Sequence, residues 1–79
     1  MTAKEMFKEL GYKQDKTISF LLEYYTKTRD LGNEKRWEKI SFNLNDRTYY
    51  KCCEKGMAGY ITKAEQEAIN KQIEELGWY

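Results

Sequence analysis

Cysteine and histidine most often carry metal and nucleophile chemistry, and this chain offers little of either. It has no histidine, which removes the commonest general base and metal ligand at neutral pH. Its two cysteines, Cys52 and Cys53, are adjacent, a spacing that neither closes a useful loop nor matches the separated pairs of a zinc site. On a strand they would point to opposite faces. We therefore predict two structural thiols rather than a redox or metal pair.

The carboxylates and glycines give no catalytic pattern either. Glu5 and Glu65 stand at helix-capping positions. Gly56 and Gly59 lack the spacing of a phosphate-binding loop and the Lys-Ser or Lys-Thr that follows it. We therefore predict that the protein is not an enzyme and uses no cofactor and no metal.

Length and charge limit the remaining classes of protein. A chain of 79 residues is expected to form a single domain, 1–79, with one core. Its 14 Lys and Arg balance 13 Asp and Glu, so no global field attracts nucleic acid or an anionic membrane. No apolar run approaches the ~20 residues of a membrane span, and the first residues lack the regions of a secretory signal. We expect a cytoplasmic protein with no membrane partner.

Two segments of the chain end in nearly the same five-residue motif, K-E-L-G-Y at residues 8–12 and E-E-L-G-W at residues 74–78. Gly11 and Gly77 stand where a helix commonly ends in the left-handed conformation, which glycine adopts without a side-chain clash. In that terminal motif the residue after glycine contacts the residue five positions before it. The predicted contacts are Phe7 with Tyr12 and Ile73 with Trp78.

Both helices also have a start signal, the T-x-x-E capping box that begins at Thr2 and again at Thr62. Apolar residues then recur at helical spacing. The predicted stripes are Ala3, Met6, Phe7 and Leu10 in the first helix and Ala64, Ala68, Ile69, Ile73 and Leu76 in the second. Short helices are marginal alone in water, so both stripes need a partner surface.

The middle of the chain supplies that surface as three strands, predicted over residues 17–27, 36–44 and 48–54, with a polar connection over residues 29–35. Alternation predicts one apolar face, made by Ile18, Phe20, Leu22 and Tyr24 in the first strand and Ile40, Phe42 and Leu44 in the second. Residues 45–47 predict a three-residue hairpin loop, because that length places Phe42 opposite Tyr50 and Ile40 opposite Cys52.

The sequence therefore predicts an α+β fold with the order α-β-β-β-α. A three-stranded antiparallel meander carries two helices packed on one face.

The opposite face of this sheet is the strongest functional feature of the sequence. Its candidate interaction residues are Leu21, Tyr25, Trp37, Lys39, Tyr49 and Lys51. Such a face is either a solvated surface, a docking site for a protein or a second copy of the chain, or a platform for single-stranded nucleic acid. In the last case aromatic rings would stack bases while Lys27, Lys39 and Lys51 follow the phosphates.

The segments M-T-A-K-E-M-F-K-E-L-G-Y at residues 1–12 and I-T-K-A-E-Q-E-A-I-N-K-Q-I-E-E-L-G-W at residues 61–78 carry a resemblance. They resemble the ends of small proteins, without an established activity, that prophages and mobile elements of low-GC Gram-positive bacteria encode. The resemblance covers both helices and only the general pattern of the strands, and Cys52-Cys53 replaces a more polar strand end. It implies a non-catalytic protein that binds a host or phage protein, including an accessory or anti-defence factor, and it carries over no catalytic residue.

Overall fold

The computed structural model describes residues 1–14, 20–31, 34–53 and 60–78. Its elements are α1 (Ala3–Glu9), β1 (Lys13–Gln14), β2 (Leu21–Leu31), β3 (Glu34–Asn43), β4 (Thr48–Cys53) and α2 (Lys63–Leu76). The strands form one sheet in the order β1-β2-β3-β4, and each pairs antiparallel with its neighbour. The α+β class and the helix at each end are as predicted, but the sheet has four strands rather than three.

The additional strand, β1, is short. After Gly11, which takes a left-handed φ of 92°, the backbone pairs with β2 through Lys13 opposite Tyr25 and Gln14 opposite Tyr24. Two residues are too few for an alternating pattern to show in a sequence, which is why the prediction missed this strand.

The second and third strands are displaced from their predicted positions. Strand β2 runs to Leu31 and β3 begins at Glu34, so most of the segment predicted as a polar connection is strand. Ile18 lies outside the described residues. Phe20 precedes β2 and is 44% exposed, so its predicted place in the core is wrong. The backbone oxygen of Phe20 still accepts a hydrogen bond from the Leu44 N–H at 2.8 Å. Alternation predicts which face a side chain is on, but not how far along the strand the helices cover that face.

The predicted hairpin register between β3 and β4 is also wrong, by one residue. The structure pairs Asn43 with Thr48, Phe42 with Tyr49 and Ile40 with Lys51, which gives a four-residue loop over residues 44–47. Tyr49 and Lys51 consequently point toward the helices, and Tyr50 and Cys52 point away.

The local cause of this register is the loop itself. The Asn43 side-chain oxygen accepts hydrogen bonds from the backbone N–H groups of Asn45 and Asp46, both at 3.0 Å, an arrangement by which asparagine initiates turns. Arg47 then takes a left-handed φ of 55° before β4 begins. The loop therefore begins at Leu44, one residue earlier than the loop predicted from Asn45-Asp46-Arg47.

The helix ends are as predicted. Both capping boxes are present, from Thr2 to Glu5 and from Thr62 to Glu65. The last turns close as glycine-terminated helices do. Their backbone bonds are Tyr12 N–H to Phe7 O at 2.9 Å and Trp78 N–H to Ile73 O at 3.1 Å. The Phe7 and Tyr12 rings also make the predicted contact, edge to face, with centroids 5.8 Å apart.

Both helices pack on one face of the sheet, called the helix face below. Its buried core comprises Phe7, Tyr12, Leu22, Tyr24, Ile40, Phe42, Ala68 and Ile69. The rings of Phe7 and Tyr24 stack with centroids 4.0 Å apart, and Phe42 meets both of them edge to face. The Ala3 N–H donates to a Glu75 carboxylate oxygen at 2.7 Å, which joins the start of α1 to the end of α2. Phe42 is thus the sheet residue around which the aromatic core assembles.

Candidate interaction face and the buried polar cluster

The face of the sheet opposite the helices is called the open face below. The strand registers place on it Leu21, Glu23, Tyr25, Trp37, Lys39, Ser41, Asn43, Thr48, Tyr50 and Cys52. Four of the six predicted interaction residues lie there: Leu21, Tyr25, Trp37 and Lys39. The other two, Tyr49 and Lys51, lie on the helix face because of the register of β4, and Tyr50 stands where Tyr49 was predicted.

Side chains on the open face are ordered by contacts with one another. The Lys39 ammonium lies 3.1 Å from a Glu23 carboxylate oxygen and 5.8 Å from the centroid of the Trp37 ring. Tyr25 is the direct cross-strand neighbour of Lys39. Leu21, Tyr25 and Trp37 are half-buried, whereas Tyr50 is 51% exposed. The open face therefore presents aromatic rings around one ion pair.

The centre of the open face is already shielded from water. Ser41 is fully buried, although it lies opposite Glu23 on β2 and Tyr50 on β4. Within the described residues its hydroxyl has no hydrogen-bond partner. Cys52, beside it on β4, has a pKa raised by burial, against the opposing effect of Lys39. This thiol is therefore protonated at neutral pH, as expected of a structural cysteine.

The helix face contains a cluster that the sequence did not predict, formed by Tyr12, Glu38, Lys51 and Glu65 and called the buried polar cluster below. The Lys51 ammonium lies 2.8 and 3.0 Å from the two Glu65 carboxylate oxygens and 3.7 Å from a Glu38 oxygen. It also donates to the Tyr60 backbone oxygen at 2.8 Å. The Tyr12 hydroxyl donates its hydrogen to Glu65 at 2.5 Å, and a Glu38 carboxylate oxygen lies 3.3 Å from the same hydroxyl. The cluster thus joins β4, β3, the start of α2 and the residue that follows the turn after α1.

The electrostatics of this cluster favour a charged pair beside a neutral phenol. Burial acts to raise the pKa of Glu65, but hydrogen bonds from Lys51, the Thr62 backbone and Tyr12 outweigh it, so the pKa is lowered from its usual 4.5. Burial and then the neighbouring Glu65 raise the pKa of Tyr12 far above the physiological range. The Lys51 and Glu65 side chains are only 4% and 7% exposed. Their enclosure indicates a structural role rather than contact with a substrate.

Sequence reasoning missed this cluster for an identifiable reason. It assigned Glu65 to helix capping alone, whereas one carboxylate oxygen serves both the Thr62 N–H at 2.9 Å and the Lys51 ammonium. It also placed Lys51 on the open face, by alternation along the predicted third strand. Ala64, predicted to lie on the apolar stripe of α2, is exposed, while Glu65 and Gln72 are buried. Because the sequence predicted a buried Ala64, nothing in the apolar stripe of α2 indicated that Glu65 would be buried instead.

Gln72 marks a second buried polar contact in the core. Its side-chain oxygen accepts a hydrogen bond from the Tyr24 hydroxyl at 2.5 Å. Burial, with a smaller effect of Glu75, raises the pKa of Tyr24 to about 12. The phenol therefore stays neutral and remains a hydrogen-bond donor at physiological pH.

The described part of the chain shows neither a metal-binding group nor a membrane-spanning helix. Across residues 1–14, 20–31, 34–53 and 60–78, no group of three or more His, Cys, Asp or Glu side chains is arranged to hold a metal ion. In the same part of the chain no helix combines the length and apolar character that a membrane span requires. Comparisons with protein-family models, curated proteins and solved structures find no match to this chain.

The lowered pKa of Glu65 predicts how stability depends on pH. A carboxylate whose pKa is lower in the folded state than in the unfolded one stabilises the fold above about pH 4.5, and this contribution is lost as the pH falls through the folded value. We expect the stability difference between wild type and Glu65→Gln to be largest near neutral pH and to shrink on acidification. Urea unfolding at several values between about pH 7 and about pH 3 measures it.

The comparison of wild type with Glu65→Gln cancels the contributions of other acidic groups to the pH dependence of stability. The pKa of Glu5 is also lowered, first by its hydrogen bond with the Thr2 backbone, and this contribution is common to both proteins. A stability difference that stays constant across the acid range would show that Glu65 does not titrate with a lowered pKa.

Proposed function

We propose that this chain is a small non-catalytic protein-interaction domain that binds another protein through its open face. The observation that carries the proposal is the set of aromatic rings on that face, the half-buried Tyr25 and Trp37 with the exposed Tyr50. No helix covers these rings in the described part of the chain. Tyrosine and tryptophan are the side chains most enriched among the residues that dominate binding energy in protein interfaces.

The order of the open face supports binding rather than simple solvation. Trp37 and Tyr25 lie beside Lys39, and the Lys39–Glu23 ion pair holds that lysine at a defined position between β2 and β3. Side chains that are already ordered lose less conformational entropy when a partner binds.

The class of partner follows from the resemblance of the two helical segments to prophage and mobile-element proteins. We propose a phage or mobile-element origin and a host or phage protein as the partner, with the chain acting as an accessory or anti-defence factor. The support for this context is the sequence of residues 1–12 and 61–78 alone.

The alternative function, weak binding of single-stranded nucleic acid, has less support. Lys51 is enclosed on the helix face in its ion pair with Glu65, so it does not lie beside the aromatic rings. Lys39 is held by Glu23. The side chain of Lys27 lies outside the described part of the structure. Two of the three lysines that would follow the phosphates are therefore committed to carboxylates.

The test of the proposed function compares matched alanine variants. The wild-type chain captures its partner from host lysate, and calorimetry with the purified partner then compares Tyr25→Ala and Trp37→Ala with Tyr60→Ala. Tyr60 is 96% exposed and lies outside the sheet, so it is the control. We expect each open-face variant to weaken binding by about 30-fold or more, as for residues that dominate an interface, and Tyr60→Ala to leave it unchanged.

Two results would count against the proposal. Equal affinity of the Trp37→Ala variant and wild type would exclude the open face as the binding surface. Binding of a labelled oligonucleotide that weakens steeply with salt would instead favour the nucleic-acid alternative, because phosphate contacts release counterions.

A further inference from the structure

Among the described strands, β4 lies at the end of the sheet, with β3 on its inner side. Its outer edge can therefore form backbone hydrogen bonds with another strand. In the described part of the structure, no backbone group outside β3 pairs with β4. An unpaired strand edge is a template for association with a further strand.

The groups that point outward from β4 can be identified from the ladder. The Leu44 N–H donates to Phe20 on the β2 side of the sheet. Backbone groups of an antiparallel strand alternate in direction, so those of Ile40 and Phe42 also point to β2, and those of Ser41 and Asn43 point to β4. The pairing of β3 with β4 is regular. The outward N–H and C=O groups of β4 therefore belong to Tyr49, Lys51 and Cys53.

This edge lacks the features that usually prevent edge association. Natural edge strands are protected by proline, bulges, short length or a charged side chain, lysine above all. Strand β4 has six residues, no proline and no register shift. Its single lysine, Lys51, turns its ammonium inward to Glu65. At the opposite edge β1 has only two residues, both exposed, of which one is Lys13.

We propose that β4 pairs antiparallel with β4 of a second copy of this chain, forming a two-fold symmetric dimer with a continuous sheet. Two identical edges related by a two-fold axis present N–H groups to C=O groups in both directions, so the same edge is its own complement. The neutral balance of charge, 14 basic against 13 acidic residues, gives no net repulsion between copies.

The register of this pairing follows from alternation and charge. The outward N–H and C=O groups of two β4 strands can pair only if the two-fold axis passes between the two copies of one residue. The registers that pair the most residues place the axis at Tyr50 or at Lys51. The second register sets Lys51 opposite the partner's Lys51, and like charges directly opposite one another are destabilising. The first sets Tyr50 opposite the partner's Tyr50 on the open face, as a pair whose side chains approach closely. That register also covers a ring that is 51% exposed in the monomer.

Analytical ultracentrifugation of the purified chain tests the dimer. An interface of one strand edge is small, so we expect a weak monomer–dimer equilibrium that shifts to dimer as the concentration rises. Tyr50→Glu, which opposes two carboxylates at the axis, should weaken dimerisation by about tenfold or more. Tyr50→Phe should retain it. Circular dichroism verifies that both variants fold.

Two outcomes would overturn the proposal. One is a wild-type chain that sediments as a monomer at every concentration up to about 1 mM, the range in which weak contacts still associate. The other is a folded Tyr50→Glu variant that dimerises as wild type does. Because this experiment uses the purified chain alone, its failure leaves the proposed binding of a partner by Tyr25 and Trp37 untouched.

Disulfide formation tests the register. In a Cys52→Ser, Cys53→Ser background, Tyr50→Cys should form a covalent dimer when diamide removes two electrons and two protons from the paired thiols. A protein that keeps Cys52 as its single cysteine should crosslink much more slowly, since Cys52 would lie opposite the partner's Thr48. Faster crosslinking through Cys52 than through Tyr50→Cys would exclude the axis at Tyr50.

Discussion

Replacing Lys51 by methionine is expected to lower the free energy of unfolding by about 3–5 kcal/mol, the loss typical when one member of a buried ion pair is removed. The methionine side chain keeps much of the lysine stem but not its ammonium. Glu65 would then hold a buried carboxylate without its counter-charge, and the Tyr60 backbone oxygen would lose its donor. Domains are stable by only about 5–15 kcal/mol. The expected loss is therefore a large part of the total stability, and the variant should unfold at a lower urea concentration than wild type.

Lys39→Met is the matched control for this prediction. Lys39 is also a strand lysine with a carboxylate partner, Glu23, but its side chain is 29% exposed, against 4% for Lys51. Ion pairs that remain in contact with water contribute about 0–1 kcal/mol. Urea unfolding followed by tryptophan fluorescence compares the two variants. Equal losses of stability would show that the burial of Lys51 is not what makes its ion pair important.

A double variant separates the ion pair from its surroundings. Glu65→Gln removes the charge yet keeps an amide oxygen that can accept from the Thr62 N–H, while its NH2 group, in place of the second oxygen, can donate to the Tyr12 hydroxyl oxygen. Combined with Lys51→Met, it leaves no uncompensated charge in the cluster. The stability lost by the double variant should therefore be smaller than the sum of the two single losses. Strict additivity would mean that the two residues do not act as a pair.

Local signals explain why the helix ends were predictable. A capping box needs only a threonine and a glutamate three residues later, and a terminal glycine acts on the turn beside it. Thr62, Glu65 and Gly77 therefore occupy the predicted positions whatever the rest of the chain does. The alternation that placed Leu21, Tyr25 and Trp37 on one face is equally local, because neighbouring residues of a strand always point to opposite sides.

The register of β4 was not predictable in the same way. The binary pattern counts Lys51 as a surface residue, so it favoured the register that put Cys52 on the helix face. The observed register begins at the Asn43 turn and is also stabilised by the ion pair of Lys51 with Glu65, 14 residues further along the chain. A buried lysine is stable only beside such a partner, and no short-range pattern shows where the partner will lie. The same error placed Tyr49 on the open face, whereas the structure has it on the helix face.

Phe42→Ala and Phe20→Ala form the clearest comparison between sequence pattern and structure, since alternation placed both rings on the helix face. Phe42 is fully buried, with ring centroids 6.3 Å from Phe7, 6.3 Å from Tyr24 and 6.2 Å from Trp78. Truncation of such a ring typically lowers stability by about 3–5 kcal/mol, because the transfer free energy is lost and a cavity remains. We expect that loss for Phe42→Ala.

The same truncation at Phe20 should lower stability by less than about 1 kcal/mol, since substitutions at exposed positions have small effects. Its side chain is 44% exposed and precedes β2. Urea unfolding of both variants measures the difference, and Trp78 provides a second readout for Phe42→Ala because its ring packs against Phe42. Its fluorescence should shift toward that of solvated tryptophan in this variant alone. A Phe20→Ala loss as large as that of Phe42→Ala would mean that the core extends beyond β2, as the alternation of residues 17–27 had predicted.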